Sequence, residues 1–438
     1  MQPQQHEVLI IGAGAAGLAA LADLSQAGLD VLCVEARDRI GGRILTVRDP
    51  LSPLPIELGP EFIHGRPPET WNIVHEANLL VYDCAEDAVH INAGRIEDAA
   101  DAWEQINEIT EDMKLVAEDG EDPIFLDFIE RSAYSEKAKR WATGYVEGFN
   151  AAHKEIIGVA SLALDAQAAD AIEGDRNFRV ASGYDSIPNF LLAQSKSKRS
   201  QIQLNTIVEA IHWKAESASV HIRSALTGDL SILQARCLII TLPLGVLCEM
   251  LFQPEPASVL TAARALRFGQ VMRVVLRFSH AWWEERGDFT DAGFWLSQEN
   301  YFPTWWNTLP ARTSLLTGWS AGPHADNLLG LTKSEIIQRA LEDLSRLTGH
   351  SLHNLKASLQ AAHFHNWHDD PFARGAYSYV PAGALHEREA LAQPVENTLF
   401  FAGEATELNG HSATVHGAIA TGYRAAQQVL KVLRPVEG

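Results

Sequence analysis

The pattern of apolar and polar positions predicts a strand, a helix and a second strand at the start of the chain. The apolar run at residues 8–11 suits a strand that is buried on both faces of a parallel sheet. The Ala- and Leu-rich stretch 18–27 predicts a helix, which Gly28 ends. A second apolar run, Val31–Val34, predicts the next strand. This order is typical of a parallel βαβ unit.

A glycine-rich turn joins the first strand to the helix. Gly12 permits a tight turn, Gly14 lets a pyrophosphate approach the backbone, and Gly17 lets the helix pack closely on the strand. Phosphate oxygens are favoured at a helix N-terminus, where free N–H groups and the dipole attract negative charge. Glu35 follows the second strand and is placed to accept hydrogen bonds from ribose hydroxyls; its alternative role is a helix cap. The turn therefore predicts dinucleotide binding.

The residues after Glu35 distinguish a flavin from a nicotinamide cofactor. The stretch 36–43 adds a second glycine pair and three arginines beside the place where a pyrophosphate would lie. Arginine can bind phosphate with two parallel hydrogen bonds. This extended pattern resembles the flavin amine oxidase superfamily, which includes monoamine oxidases, polyamine oxidases and lysine-specific histone demethylases. The resemblance implies FAD, because an NAD enzyme would not need the second glycine pair.

Further elements are predicted in the middle of the chain. We expect a strand at 202–211, a hairpin turn at 227–229, a buried strand that starts at Cys237, and a strand at 268–278. Eight aromatic residues then crowd together: Trp282, Trp283, Phe294, Trp295, Phe302, Trp305, Trp306 and Trp319. We expect most of them in a core and a few in the wall of an apolar substrate cavity.

Charge and composition exclude some classes of function. The chain has 438 residues and a formal net charge of -21. This balance argues against a nucleic-acid partner, because phosphate contacts need clustered Lys and Arg. It is compatible with a cationic substrate. The four cysteines are scattered along the chain, so we expect neither a disulfide framework nor a metal site.

Targeting signals are not evident in the sequence. Residues 1–6 lack the charged and apolar regions of a secretory signal. Apolar stretches are interrupted before they reach membrane-spanning length. The chain ends at Gly438 without the hydrophobic tail that anchors monoamine oxidases. We therefore expect no membrane anchor and a cytoplasmic location.

A second glycine-containing segment, 56–65, resembles the family stretch whose backbone lines the flavin ring. The backbone of Glu61 could meet the flavin while its side chain goes elsewhere. His64 matches a histidine that lies near the substrate in animal-type polyamine oxidases. Its alternative role is that of a hydrogen-bonded structural residue.

One residue departs from the family pattern. In amine oxidases, a lysine on the strand after a Phe-Gly or Met-Gly turn holds a water against flavin N5. Phe268 and Gly269 match this turn, but Arg273 stands at the lysine position. Arginine is bulkier than lysine, stays charged and cannot act as a base. Arg273 therefore leaves open whether oxygen accepts the electrons.

The stretch 366–380 carries the most specific likeness to the demethylases and polyamine oxidases. By that resemblance, Tyr377 is one wall of the aromatic cage that holds the amine. Ala376 stands where monoamine oxidases carry the cysteine that bonds to flavin, which implies non-covalent FAD. Thr414 stands where monoamine oxidases have the second cage tyrosine, so the cage would be half open and could admit a bulkier amine.

The glycine turn and the resemblance together predict two sets of site residues. The cofactor-binding set is Gly12, Gly14, Ala16, Gly17, Glu35, Ala36, Arg37, Gly42, Arg43, Gly59, Pro60, Glu61, Phe62, Val208, Trp367, Gly403, Glu404, Ala413, Thr414 and Val415. The candidate catalytic set is His64, Arg273, Tyr377 and Thr414. Within these sets, Val208 matches the residue that contacts adenine.

The resemblance covers nearly the whole chain and implies an α/β fold with two domains. A Rossmann-like FAD-binding domain would comprise residues 1–80, 180–265 and 390–438. A substrate-binding domain of mixed sheet and helices would comprise residues 81–179 and 266–389. The two domains would thus be interleaved along the sequence.

The implied activity is FAD-dependent oxidation of a polyamine or another primary or secondary amine. A hydride passes to flavin N5, water hydrolyses the imine to an aldehyde, and oxygen is reduced to hydrogen peroxide. Alternatives are an amine dehydrogenase or desaturase that passes electrons to a quinone, an L-amino-acid oxidase, and a binding or regulatory flavoprotein with little turnover. Tyr377 argues against the last, because a cage residue has no obvious use without an amine.

The first prediction concerns how the cofactor is held. Because Ala376 replaces the linking cysteine, we expect FAD to leave the protein on acid or heat denaturation. Absorbance spectra of the supernatant and the precipitate test this. Yellow colour that stays with the precipitated protein would show a covalent bond elsewhere.

Overall fold

The computed structural model describes residues 4–92, 94–97, 100–195, 199–297 and 300–434. Residues 1–3 and 435–438, on which the expectations about a signal and a tail partly rest, lie outside these ranges. In the described part of the chain, no helix combines the length and the apolar character needed to cross a membrane.

Runs of strands and runs of helices follow one another along the chain. The strands are β1 Gln4–Ile11, β2 Val31–Val34, β3 Thr46–Val47, β4 Ile56–Glu57, β5 Ile63–His64, β6 Val81–Asp83, β7 Ala88–Asn92, β8 Arg95–Glu97, β9 Asn177–Val180, β10 Ser200–Gln203, β11 Thr206–Lys214, β12 Ser217–Ser224, β13 Leu230–Ile240, β14 Leu251–Gln253, β15 Arg267–Gly269, β16 Val271–Phe278, β17 Phe294–Leu296, β18 Thr304–Trp306, β19 Leu315–Ala321, β20 Leu359–Phe364, β21 Tyr377–Tyr379 and β22 Leu399–Phe401. The α-helices are α1 Ala15–Gln26, α2 Pro68–Glu76, α3 Ala100–Glu118, α4 Phe125–Arg131, α5 Glu136–Asn150, α6 Val159–Asp170, α7 Ser186–Gln194, α8 Leu244–Leu247, α9 Ala257–Ala265, α10 Pro323–Asp326, α11 Lys333–Thr348, α12 Leu352–Ser358, α13 Glu387–Ala392 and α14 Val415–Leu433. Short 3-10 helices lie at Trp282–Glu285, Gly287–Phe289 and Glu404–Thr406.

The first large sheet has the strand order β10-β2-β1-β13-β12-β11-β14, and β22 pairs with the end of β13. Strands β10, β2, β1, β13 and β22 run parallel, whereas β12 is antiparallel to β11 and β13. Helices α1 and α14 pack on this sheet. The apolar runs predicted as parallel strands are thus central: residues 8–11 have both faces buried, between β2 and β13.

The prediction of one strand at 202–211 is wrong. The chain leaves the sheet after β10 and re-enters it as β11 near the opposite edge. Asn205 lies between the two strands with φ 55°, a left-handed conformation that interrupts extended backbone and that Asn tolerates better than most residues. The hairpin turn predicted at 227–229 is confirmed, since it joins β12 to β13.

The second large sheet has the order β20-β16-β19-β18-β17-β7-β8. The tryptophans expected in a core are there: Trp282, Trp283, Trp295 and Trp305 are buried against β16, β19 and helix α11. A smaller three-stranded sheet, β5-β9-β6, lies apart from both large sheets. The two large sheets take their strands from alternating parts of the chain. The two interleaved domains and their boundaries stay a prediction.

Close backbone packing fixes the helices against the first sheet. A Cβ at Gly17 would lie 1.9 Å from the carbonyl oxygen of Gly12, so only glycine lets α1 follow the turn so tightly. Gly422 on α14 plays the same part against α1, because a Cβ there would lie 2.2 Å from the carbonyl oxygen of Ala16. The two helices and the glycine turn thus form one tightly packed unit.

The second prediction tests this packing. Gly422→Ala should destabilise the protein by about 1–3 kcal/mol, because the added methyl overlaps backbone that cannot move aside. Gly148→Ala is the matched control, since Gly148 also lies in a helix but has nothing within 4 Å of the position of its added Cβ. The control should leave stability unchanged or raise it by about 0.5–1 kcal/mol. Urea unfolding of both variants measures the difference, and an equal midpoint for the two would contradict the packing argument.

Candidate functional site

A cavity of about 2050 Å³ runs from the N-terminus of α1 to the space between α5, α6 and the second sheet. Every predicted site residue lines it except Gly17, which packs behind the turn. The structure therefore brings together residues that are far apart in the sequence, such as Gly14 and Thr414.

The N-terminus of α1 forms one end of the cavity. Gly14 is its N-cap residue, and the helix has neither a side-chain cap nor an acidic residue in its first turn among the described residues. The second glycine pair lies opposite, and a Cβ at Gly42 would come within 3.3 Å of Gly14 Cα. Bare backbone with free N–H groups is the chemistry that a pyrophosphate requires.

Glu35 lies buried beside this turn. Its Oε2 accepts a hydrogen bond from the backbone N–H of Ala13 at 2.8 Å, and its Oε1 accepts one from Arg37 N–H at 2.9 Å. It does not cap a helix, so that alternative is excluded. Each carboxylate oxygen keeps a further lone pair for a ribose hydroxyl.

The arginines of the second glycine stretch have protein partners. Arg37 donates from both terminal nitrogens to Asp370, each at 2.8 Å, and lies over the rings of Trp367 and Phe372. Arg43 donates to the carbonyl oxygen of Ala376 at 2.6 Å and to Glu404 at 3.0 Å. Asp370 takes one N–H of each terminal nitrogen, so a phosphate could bind Arg37 only through its remaining N–H groups. We therefore assign Arg37 to bracing the cavity wall, and its predicted contact with the cofactor stays a prediction.

A buried ionic cluster, which we call the Glu61 cluster, forms the wall at β16. Glu61 accepts hydrogen bonds from Arg179 Nε at 2.7 Å, from Trp306 Nε1 at 2.9 Å and from Arg273 Nη2. Arg273 also donates to the carbonyl oxygen of Gly59 at 2.7 Å. The Glu61 side chain is thus bound to Arg179, Trp306 and Arg273, whereas contact of its backbone with the flavin stays a prediction. Arg179 is a member that sequence analysis missed.

The charges of the Glu61 cluster support one another. Burial opposes ionisation of Glu61, but Arg179 and Arg273 outweigh it and lower the pKa of this carboxyl. Burial lowers the pKa of Arg273, and the carboxylate of Glu61 partly restores it. Arg273 Nε has no hydrogen-bond partner among the described residues. Arg273 is therefore held by two groups, the carbonyl oxygen of Gly59 and the carboxylate of Glu61.

Aromatic side chains surround the other end of the cavity. The hydroxyl of Tyr377 donates to the carbonyl oxygen of Phe149 at 2.7 Å, which fixes the orientation of its ring. Phe149 packs edge-on against His64, with ring centroids 5.5 Å apart, and stacks on Tyr145 at 5.3 Å. Tyr145 and Phe149 were not predicted as site residues. Their four-residue spacing on α5 was the available signal, because it places both rings on one helix face.

The N-terminus of α14 closes the cavity. The Thr414 hydroxyl accepts a hydrogen bond from Gly417 N–H at 3.0 Å and donates to the carbonyl oxygen of His411 at 2.6 Å. Thr414 is therefore a helix cap as well as part of the cavity wall. Burial lowers the pKa of His64 to about 4 and that of His416 to about 3, so both imidazoles are neutral near pH 7.

These residues fit FAD. The helix end with its free N–H groups and the two facing glycine turns suit the pyrophosphate of FAD, and Glu35 suits the ribose. Ala376 offers no atom for a covalent bond to the flavin ring. In the described ranges, no group of three or more His, Cys, Asp or Glu side chains is arranged to hold a metal ion.

Comparison with known proteins places this geometry in a family. The sequence model described as "Flavin containing amine oxidoreductase" matches residues 15–430. "Lysine-specific histone demethylase 1 homolog 3" of Arabidopsis thaliana is 26% identical over 98% of this chain, which spans 30% of that relative. "Polyamine oxidase 4" of Oryza sativa subsp. japonica is 25% identical over 97% of this chain and 88% of its own length.

Solved structures show the same fold. The structure of wild-type putrescine oxidase bound to putrescine matches this chain with a TM-score of 0.82. The two sequences are 20% identical, and the match covers 97% of this chain and 99% of the other. The predicted α/β fold is thereby confirmed. The chain spans 30% to 59% of the length of the plant demethylase relatives that it matches.

The third prediction concerns Glu35. Glu35→Ala should weaken FAD binding by about 1.5–3 kcal/mol, because it removes a buried charged acceptor. Glu7→Ala is the control: Glu7 lies on the neighbouring strand β1 and accepts a hydrogen bond from Asp30 N–H at 2.7 Å, yet it does not line the cavity. Titration of FAD into the apoprotein measures the affinity of each variant. Unchanged FAD affinity in Glu35→Ala would show that the carboxylate serves only the turn.

Proposed function

Because this chain belongs to the family of flavin-containing amine oxidoreductases, we propose that it oxidises an aliphatic amine, with a polyamine or diamine as the best candidate and oxygen as the electron acceptor. Family membership confirms the resemblance found in the sequence, the FAD cofactor and the oxidoreductase class. The observation that carries the proposal is the juxtaposition of Tyr377, Phe149 and His64 at the end of a cavity that starts at the nucleotide-binding turn. A relative named polyamine oxidase and a structure of putrescine oxidase support this substrate class.

When bound, FAD supplies the acceptor for the hydride equivalent that leaves the carbon next to the amine nitrogen. The residues of the chain have a different task, which is to hold and desolvate the amine. Tyr377 presents a ring whose hydroxyl is tethered to Phe149, so the ring face has a fixed direction. An aromatic face attracts a cation and also accepts an apolar chain. The neutral imidazole of His64 adds no positive charge that would repel the entering amine.

The wall of the cavity outside the aromatic end is acidic. Between residues 86 and 175, ten acidic and three basic side chains line it. The acidic members are Glu86, Asp87, Glu97, Glu130, Glu136, Glu147, Asp165, Asp170, Glu173 and Asp175, and the basic members are Lys139, Arg140 and Lys154. A cavity wall of one predominant sign raises the local concentration of the opposite ion. This wall supports a cationic amine over a neutral or anionic substrate.

An L-amino-acid oxidase is the weaker alternative. Such an enzyme needs a cation that is free to pair with the substrate carboxylate. The arginines of the Glu61 cluster already share a carboxylate, and Arg273 Nη1 is also bound to the carbonyl oxygen of Gly59. A substrate carboxylate would have to compete with Glu61 and with the carbonyl oxygen of Gly59 for these N–H groups.

A quinone-linked amine dehydrogenase is favoured by one observation, the fixed guanidinium of Arg273. A lysine ammonium is a flexible point charge that can hold a water, whereas this guanidinium is committed to Gly59 and Glu61. The two acceptors are therefore distinguished by the rate at which oxygen reacts with the reduced holoenzyme.

The proposed activity is tested by anaerobic mixing of holoenzyme with polyamines, aryl amines and amino acids. Loss of the yellow flavin absorbance with an amine, followed by detection of an aldehyde, would establish it. Bleaching by amino acids alone would establish the amino-acid oxidase instead.

The fourth prediction concerns Arg273. Arg273→Lys should speed reoxidation of the reduced holoenzyme by oxygen about tenfold, equal to about 1.4 kcal/mol of barrier, because a lysine can hold a water that the fixed guanidinium cannot. Arg277→Lys is the control: Arg277 lies on the same strand but binds Asp49 at 2.7 Å and is absent from the cavity wall. Stopped-flow mixing of dithionite-reduced enzyme with oxygen isolates this step. Equal rates in wild type and Arg273→Lys would make Arg273 a tolerated replacement and support the oxidase over the dehydrogenase.

A further inference from the structure

One carboxylate behind the cavity wall holds a residue of the wall in a fixed orientation. The side chain of Asp370 is 4% exposed and does not itself line the cavity. Its Oδ1 accepts a hydrogen bond from Arg37 Nη2, and its Oδ2 accepts one from Arg37 Nη1, each at 2.8 Å. Two parallel bonds fix the plane of a guanidinium as well as its position. Arg37 therefore enters the cavity wall with little rotational freedom.

His365, which follows β20 directly, completes the hydrogen bonding of this carboxylate. His365 Nε2 lies 2.7 Å from Asp370 Oδ2, and the backbone N–H of Phe372 donates to Oδ1 at 2.9 Å. Burial raises the pKa of Asp370, but the hydrogen bonds from His365 and Arg37 outweigh burial and lower it. An ionised carboxylate only accepts, so His365 Nε2 carries the proton of this bond. We call Arg37, Asp370 and His365 the Asp370 triad.

Two aromatic rings of the cavity wall depend on the same triad. Arg37 Cζ lies 5.9 Å from the ring centroid of Trp367 and 5.4 Å from that of Phe372, and both rings line the cavity. His365 packs edge-on against Trp367, with ring centroids 4.2 Å apart. Trp367 Nε1 in turn donates to the carbonyl oxygen of Leu58 at 2.8 Å. Arg37, Trp367 and Phe372 thus form one surface, which the residues behind it keep in place.

This surface lies at the nucleotide end of the cavity. The backbone N–H of Arg37 donates to Glu35 Oε1 at 2.9 Å, beside the glycine turn. The guanidinium keeps its Nε–H and one N–H on each terminal nitrogen, because Asp370 uses only the other two. Donors that are fixed before a ligand arrives lose less entropy on binding than mobile ones. The Asp370 triad therefore prepares Arg37 for a ligand that accepts hydrogen bonds.

We propose that Asp370 and His365 are positioning residues for the cofactor, which hold Arg37 in the orientation in which its remaining N–H groups bind the nucleotide half of FAD. Neither residue lines the cavity, so both act through Arg37. This role is independent of the proposed amine oxidation, because it concerns how FAD is held before any substrate is present.

A second group of the same composition provides an internal control. Asp49 Oδ2 accepts a hydrogen bond from Arg277 Nε at 2.7 Å, and His363 Nε2 lies 3.3 Å from the same oxygen. The side chains of Arg277 and Asp49 are 10% and 9% exposed, and none of the three residues lines the cavity. Asp49→Asn therefore disturbs an Arg–Asp–His group of the same chemistry without changing the cavity wall.

The experiment follows the release of FAD from the holoenzyme after dilution, through the rise in flavin fluorescence. Release from Asp370→Asn should be about ten- to hundredfold faster than from wild type, as expected for loss of a charge-assisted hydrogen bond. Asp49→Asn should release FAD at the wild-type rate. Equal acceleration in the two variants would reduce the effect to a general loss of stability and overturn the proposal. Slower release from Asp370→Asn would overturn it too, because the carboxylate would then be masking Arg37 from the cofactor.

A double variant tests whether Asp370 acts through Arg37. FAD release from Arg37→Met combined with Asp370→Asn should be no faster than from Arg37→Met alone, because no guanidinium is left to position. Two accelerations that multiply would show that Asp370 acts by a separate route and would contradict the proposal.

His365 gives a test that leaves the pair of Arg37 and Asp370 intact, and it decides the proposal if Asp370→Asn does not fold. His365→Leu should speed FAD release about three- to tenfold, as expected for loss of one hydrogen bond. His365→Gln, whose amide can donate to Asp370, should restore most of the wild-type rate and the visible circular dichroism of bound FAD. His363→Leu is the matched control and should change neither. Wild-type release from His365→Leu, or no rescue in His365→Gln, would overturn the positioning role of His365.

Discussion

The carboxylate of Glu61, shared by Arg179 and Arg273, is the interaction on which the shape of the cavity depends. It joins the turn after β4 to strands β9, β16 and β18, which come from three separate parts of the chain. Burying one carboxylate and two guanidinium groups is expensive unless each is paired and hydrogen-bonded. Loss of Glu61 would leave two buried guanidinium groups without their shared carboxylate, and the wall would have to rearrange or admit water.

The start of the fold could be predicted because its signals are local. Apolar runs, the glycine turn and the helix propensity of 18–27 all agree, and β1, α1 and β2 follow from them. The division of 202–211 into two strands could not be predicted in the same way. Apolar and polar residues continue to alternate through the break, so periodicity alone does not reveal it. The decisive feature is the left-handed backbone of Asn205. Asn is common both within loops and at such kinks, which makes its identity a weak signal.

The residues of the candidate site also differ in whether local sequence signals could predict them. Glycines and Glu35 were accessible to sequence reasoning because backbone chemistry requires those residue types at that spacing. The partners of the arginines were not, since Arg37 meets Asp370 across 333 positions of sequence. Tyr145 and Phe149 lie in the segment where the likeness to the family is weakest, and only the structure shows that they stack on each other at the cavity wall. Their residue types alone would suit an ordinary amphipathic helix.

The placement of β22 and α14 has a consequence for synthesis of the protein. Strand β22 pairs with β13 in the middle of the first sheet, and α14 packs on α1, the helix that begins at the glycine turn. Helix α1 therefore exposes an apolar face, and the end of β13 keeps an unpaired edge, until residues 399–433 have been made. During translation this surface stays exposed until the segments that cover it have been synthesised. The nucleotide pocket is therefore completed late in folding, and the cofactor can bind only after nearly the whole sequence has been synthesised.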